Sequence, residues 1–167
     1  MNLPQTHEYP VWAEAYISLV DADVQKILKK QATDFPEFIS GLGKKGDYAY
    51  APGKWTIKQL IGHIIDSERV FAYRLTCFAR GEIHALPGFE EDEYVANAHF
   101  QDRTLHSLAE EFSLLRKANL FLFQSLTEKE LNRSGTASER QISVRALLFV
   151  IAGHLIHHTQ IIKERYL

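Results

Sequence analysis

Three histidines near the end of the chain, His154, His157 and His158, fall inside a strongly apolar run. On a helix, residues four apart stand one above the other on a single face, so His154 and His158 have the spacing of a metal-binding pair. Each helical residue turns the chain by about 100°. With His154 set at zero, Val144, Leu147, Leu148, Val150, Ile151, Leu155, Ile161 and Ile162 define an apolar stripe centred at roughly +50°. His158 falls near the centre of that stripe, His154 just inside it and His157 on its edge. Two inward imidazoles in an apolar interior need partners, and one divalent cation serves both. The other reading is a pair of core histidines, each hydrogen-bonded to a neighbouring side chain. A third inward ligand would favour the metal.

His63 is placed to be that ligand. Thr56 and Gln59 form a capping box, Trp55 staples against Leu60, and Ile57, Leu60, Ile64, Phe71, Leu75 and Phe78 continue a helical stripe to about Arg80. His63 sits at the border of this stripe, seven residues past the cap, and His158 lies seven residues before Arg165. If the two helices run antiparallel, His63 and His158 fall at one level, giving three nitrogens with open positions for water or substrate. Ser67 and Arg74 share the inward side, and Asp66 lies further round.

The remaining elements must hold these helices together. Asp23 caps a first long helix with Val24, Ile27, Leu28, Phe35, Phe38, Ile39 and Leu42 at helical spacing and Pro36 as a kink. Gly41 to Gly46 match the letters of a dinucleotide fingerprint but follow a helix instead of a strand, so they read as a stop and loop. Residues 81–103 show no helical period and carry the Pro87-Gly88 turn before Glu90-Glu91-Asp92-Glu93. A further helix begins near Thr104, with Leu105, Leu108, Phe112, Leu115, Leu122 and Leu126 at heptad spacing and Asn119 as the polar member. Thr127 and Glu130 form the capping box of a short extra turn, Asn132 to Gln141 read as a loop, and Ser143 starts the last helix. Four amphipathic helices of this length predict an all-α, single-domain four-helix bundle. The long segment between the second and third helices reads as a crossover, giving an up-down-down-up order.

Composition narrows the function classes. A chain of 167 residues, 46% hydrophobic and 24% charged, is of ordinary single-domain size. A net charge of −2, with no basic cluster, provides no footprint for nucleic acid. The N-terminal residues lack the pattern of a signal peptide and no run of residues reads as a membrane span. The lone Cys77 rules out an internal disulfide framework and fits a reducing compartment, so the expected location is the cytoplasm, with no membrane partner.

Lys54-Trp55-Thr56-Ile57-Lys58 followed by Gly62-His63-Ile64-Ile65-Asp66, then Leu86-Pro87-Gly88-Phe89-Glu90-Glu91-Asp92, then Gly153-His154 with His157-His158, resemble the DinB-like superfamily, also called YfiT-like. The resemblance runs from about Tyr48 to Leu167 and implies an up-down-down-up bundle in which His63, His154 and His158 hold a divalent metal, zinc or nickel. It also implies a homodimer and, from relatives whose activity is understood, metal-dependent transfer or isomerisation of low-molecular-weight thiols such as bacillithiol and mycothiol. A three-imidazole metal with open positions would bind a thiol as thiolate, or activate water for hydrolysis. The expected function is therefore a metal-dependent thiol S-transferase, with a metal-dependent hydrolase and a non-catalytic metal- or ligand-binding protein as alternatives. Asp92 reads either as a base or fourth ligand over the metal or as one member of a solvated acidic run, Asp66 as a residue that orients a ligand imidazole or as a solvated helix-surface carboxylate, and Arg74 as a group that binds an anionic substrate or a buried carboxylate. His7, His84, His99 and His106 have no spacing partner.

Overall fold

Each long helix begins where a side-chain oxygen can accept from its first turn. The computed structural model describes residues 1–21 and 23–167. In it the long helices are α2 (Val24–Ser40), α3 (Ile57–Ala79), α5 (Leu105–Ser125) and α7 (Val144–Ile161), with α1 (Glu14–Ile17), α4 (Glu91–Asn97) and α6 (Glu128–Leu131) as short additions. Asp23, Thr56, Thr104 and Ser143 accept from Lys26, Gln59, Ser107 and Ala146 respectively, and Gln59 returns a bond to the Thr56 amide at 2.9 Å. These caps satisfy amides that the helices leave without internal partners.

Cross-links between helices fix their directions. Gln25 donates to the Phe123 carbonyl and Ser113 to the Ala32 carbonyl, so α2 and α5 run antiparallel. Tyr166 donates to the Trp55 carbonyl while His63 meets His154, so α3 and α7 are antiparallel as well. Lys58 meets the Gln101 carbonyl and Glu68 meets Arg116, so α3 and α5 run parallel.

The core is divided in two. One apolar cluster gathers Leu28, Phe71, Phe78, Phe123 and Leu148, the other Phe35, Ile39, Ile61, Phe112 and Leu155. Between them lies a polar belt. Arg116 and Glu68, 1% and 3% exposed, form a two-pronged ion pair at 2.6 and 2.7 Å. Gln31 accepts from Arg116 at 2.6 Å and donates to the Ala152 carbonyl at 2.9 Å, and Asn119 donates to Glu68 at 3.1 Å. Every long helix thus contributes a group to one hydrogen-bonded layer.

Four expectations change. The segment expected as a loop between Asn132 and Gln141 holds an antiparallel hairpin, β1 (Ser134–Ala137) and β2 (Arg140–Ser143). Its two turn residues, Ser138 and Glu139, adopt φ of 50° and 61° without glycine, so the usual turn signature is absent from the sequence. Residues 81–103 contain α4, whose first turn holds Glu91, Asp92 and Glu93, favourable at the positive end of a helix but too short to display a period. The buried face of α5 is Leu108, Ala109, Phe112, Arg116, Leu120 and Phe123, rotated from the expected heptad. Apolar residues all round α5, including exposed Leu114 and Phe121, blur its stripe, and a core position is held by a charge. Finally, Val144–Tyr166 is a continuous 23-residue helical segment, long and apolar enough for a membrane span, where none was expected; its most apolar window is 61% buried inside the bundle.

Candidate metal centre

α3 and α7 deliver three imidazoles to one point. His63 lies in the second turn of α3, and His154 and His158 occupy successive turns of α7; their exposures are 6%, 5% and 9%. Nε2 of His154 stands 3.2 Å from Nε2 of His63 and 3.1 Å from Nε2 of His158. Nitrogens held about 2.0–2.1 Å from a tetrahedral zinc ion are themselves about 3.3 Å apart. Both spacings match that value, and the three ligand atoms all lie within 4.8 Å of one another, so the triangle could hold one small divalent cation.

Hydrogen bonding alone leaves the triangle unsatisfied. A neutral ring nitrogen is either a donor or an acceptor, so Nε2 of His154 pairs with one of its two neighbours and not with both. Among the described residues, Nδ1 of His158 is buried with no partner, and so is the Ser67 hydroxyl one turn beyond His63. A cation taking one lone pair from each Nε2 removes the conflict. Burial holds the rings neutral, the form that donates a lone pair. It lowers the His63 pKa to about 4 against the opposing charge of Asp92. It lowers His158 to about 3, aided by His63 and His157, and holds His154 well below the ordinary histidine value.

Aromatic rings wall the centre. Trp55 lies 4.9 Å from His63, Phe71 5.5 Å and Tyr16 5.4 Å from His154, and Tyr16 also packs edge-on against His157 at 5.4 Å. Gly153 allows that wall to form, because a Cβ there would sit 2.1 Å from the Tyr16 carbonyl oxygen. The imidazoles face a cavity of about 470 Å³ that also reaches Ser67, Arg74, Glu91 and Asp92. A second cavity, of about 330 Å³, shares Trp55, Asp92 and His158 with the first.

Residues 27–162 match the family model of the DinB superfamily. The chain belongs to the DinB superfamily. Over 118 residues it is 29% identical to a proposed metal-dependent hydrolase of Oceanobacillus iheyensis, an alignment covering 68% of this chain and 66% of that protein's length. Its fold is similar to that of YfiT from Bacillus subtilis, described as a probable metal-dependent hydrolase with an unusual four-helix bundle topology. The TM-score is 0.71 at 16% identity, covering 96% of this chain and 91% of YfiT.

Around the histidines of this DinB protein, the other residues singled out by sequence take distinct places. Asp92 stands on the first turn of α4 and lines both cavities, close enough to His63 to favour its protonated form. Asp66 is half-buried and turned to Arg69 at 3.1 Å; burial raises its pKa despite that partner, and it makes no hydrogen bond to a centre imidazole among the described residues. Arg74 lines the larger cavity, 5% exposed, and burial lowers its pKa with Glu91 opposing. His157 is half-buried outside the triangle, while His7, His84, His99 and His106 are exposed. Sequence reasoning passed over Trp12, Tyr16, Phe89 and Ser138. Phe71 and Ser67, at i+8 and i+4 from His63, stand where the helical wheel places them, on the apolar stripe and the inward side.

Proposed function

We propose that this protein is a metal-dependent hydrolase using His63, His154 and His158 as metal ligands. The observation that carries the reading is the convergence of three buried, neutral imidazoles, with Nε2 of His154 standing 3.2 Å from that of His63 and 3.1 Å from that of His158, at the wall of a cavity large enough for a small molecule. Zinc or nickel suits three imidazole donors. Bound there, such a metal supplies Lewis acidity, polarising a carbonyl and strengthening a nucleophile near neutral pH. The chain's own groups do the rest: Asp92, at the cavity rim, takes the proton released as the nucleophile attacks, and the aromatic walls exclude bulk water. The free Cys77 is in keeping with a cytoplasmic setting, which belongs to the same proposal.

A second reading, transfer of a low-molecular-weight thiol, is favoured by the two cavities that share Asp92 and His158, since two reactants would approach the centre from separate mouths. The deciding experiment loads the protein with zinc or nickel and screens amide and ester hydrolysis with and without added thiol. Turnover without thiol supports the hydrolase, turnover only with thiol supports transfer, and stoichiometric metal with no turnover in either screen points to a binding role.

A further inference from the structure

Arg74 brings a permanent charge into the wall of the histidine cavity. Stranding a guanidinium in a protein interior costs several kcal/mol unless it is paired. The other buried arginines are paired: Arg116 with Glu68 at 2.6 Å, and Arg145 with Glu128 at 3.1 Å and Glu8 at 3.6 Å. Arg74 has no ion-pair partner among the described residues. Its Nη2 donates to the Pro87 carbonyl and the Ser138 hydroxyl, both at 2.9 Å, and Phe89 lies 5.7 Å from its guanidinium carbon. Those contacts fix its position without neutralising it. Nε and Nη1 have no hydrogen-bond partner among the described residues, and neither is among the sealed polar atoms.

The residues between Arg74 and the histidines form one continuous ridge. His63, Ser67, Phe71 and Arg74 follow at i, i+4, i+8 and i+11 on α3, and all four line the cavity. Their ends are about 16 Å apart along the axis at 1.5 Å per residue, and helical side chains lean toward the N-terminus, which tilts Arg74 back toward His63. A ligand along this ridge meets a cation at one end, the Phe71 ring in the middle and the imidazoles at the other. Glu91 and Asp92 also line the cavity, so a dianion meets about twice the repulsion of a monoanion there.

We infer that the substrate carries a carboxylate that docks on Arg74, joined through an apolar, ring-sized body to a reacting bond at His63, His154 and His158. This rests on the metal-dependent reading and names its substrate class: amides or esters whose acid group lies at the far end of the molecule from the bond that reacts. Trp12 and Tyr16 face the apolar body across the cavity.

Binding of non-reacting probes tests the inference apart from turnover. Amide chemical-shift titrations with hydrocinnamate, its neutral amide hydrocinnamamide and phenyl phosphate are run on metal-free and zinc-loaded protein, wild type and Arg74→Gln. The metal-free wild type is expected to prefer hydrocinnamate over hydrocinnamamide by at least about tenfold, the size of one charge-assisted hydrogen bond. Arg74→Gln is expected to lose that preference while binding the amide as before. Equal binding of acid and amide, or a preference that survives Arg74→Gln, overturns the inference. A preference seen only with zinc and unchanged in the variant also overturns it, by placing the acid on the metal. Tighter binding of phenyl phosphate overturns the choice of carboxylate. Should Arg74→Gln not fold, the wild-type comparison and Arg74→Lys, which keeps the charge, decide. Failure to take up zinc with the acid preference intact would remove the metal reading and leave the acid subsite standing.

Discussion

At the scale of single residues, a neutral imidazole binds a cation without first releasing a proton, and burial prepares all three rings of the centre in that form. Protein purified without an affinity tag is expected to hold close to one divalent ion per chain by elemental mass spectrometry. His63→Ala, His154→Ala and His158→Ala should each lose most of it while helix content by circular dichroism stays near wild type. The same burial sets a pH dependence for the metal-free protein. Above the ordinary histidine value of 6.5 both folded and unfolded rings are neutral and contribute nothing. As pH falls below 6.5, the unfolded chain takes up protons that folded His63 and His158 refuse until about 4 and about 3, so stability drops across that window. Each ring adds at most about 1.4 kcal/mol per pH unit. Urea midpoints should therefore fall between about pH 6.5 and about pH 4, and less steeply in His63→Leu/His158→Leu; equal slopes would contradict the assignment. The three histidines were legible because apolar periodicity converts directly into facing. Tyr16 and Ser138 were not, because one comes from a helix of a single turn and the other from a hairpin turn, neither long enough to repeat.

At the scale of elements, the caps and stripes of α3 and α7 follow from local rules, and their cost on removal should be local too. Thr56→Ala takes away the acceptor for the Gln59 amide at 3.2 Å and half of the capping box; about 1 kcal/mol should be lost in urea unfolding. Gly153→Ala is expected to do more than its size implies. The Cβ would press on the backbone of Tyr16 at 2.1 Å, which a rotamer change does not relieve, so α1 must move away from α7. We expect about 1–3 kcal/mol of destabilisation and new exposure of Tyr16 near His154, read by tyrosine fluorescence quenching. The rotation of α5 and the presence of α4 escaped the sequence for a shared reason: tertiary partners, Glu68 for Arg116 and the cavity rim for Asp92, decide the facing of residues whose local pattern is ambiguous.

At the scale of the whole molecule, the polar belt separates two apolar clusters and ties all four long helices into one layer. Glu68→Ala strands the Arg116 charge in the interior, and about 3–5 kcal/mol of stability should disappear. Glu68→Leu with Arg116→Met should recover most of it, since apolar groups of similar size need no partner; a double variant as weak as the single one would show that the belt acts through something other than its charges. We also propose the homodimer that the resemblance implies, with Leu114 and Phe121, 62% and 81% exposed and two turns apart on α5, in its interface. Equilibrium sedimentation should give twice the 19.2 kDa chain mass, and Phe121→Glu should return it to one chain. The belt also bears on how such a sequence can change over generations. Every single-residue step that removes the charge of Glu68 or of Arg116 passes through a chain with a lone buried charge, so lineages should either keep the two charges together or cross to an apolar pair by way of a strongly destabilised intermediate.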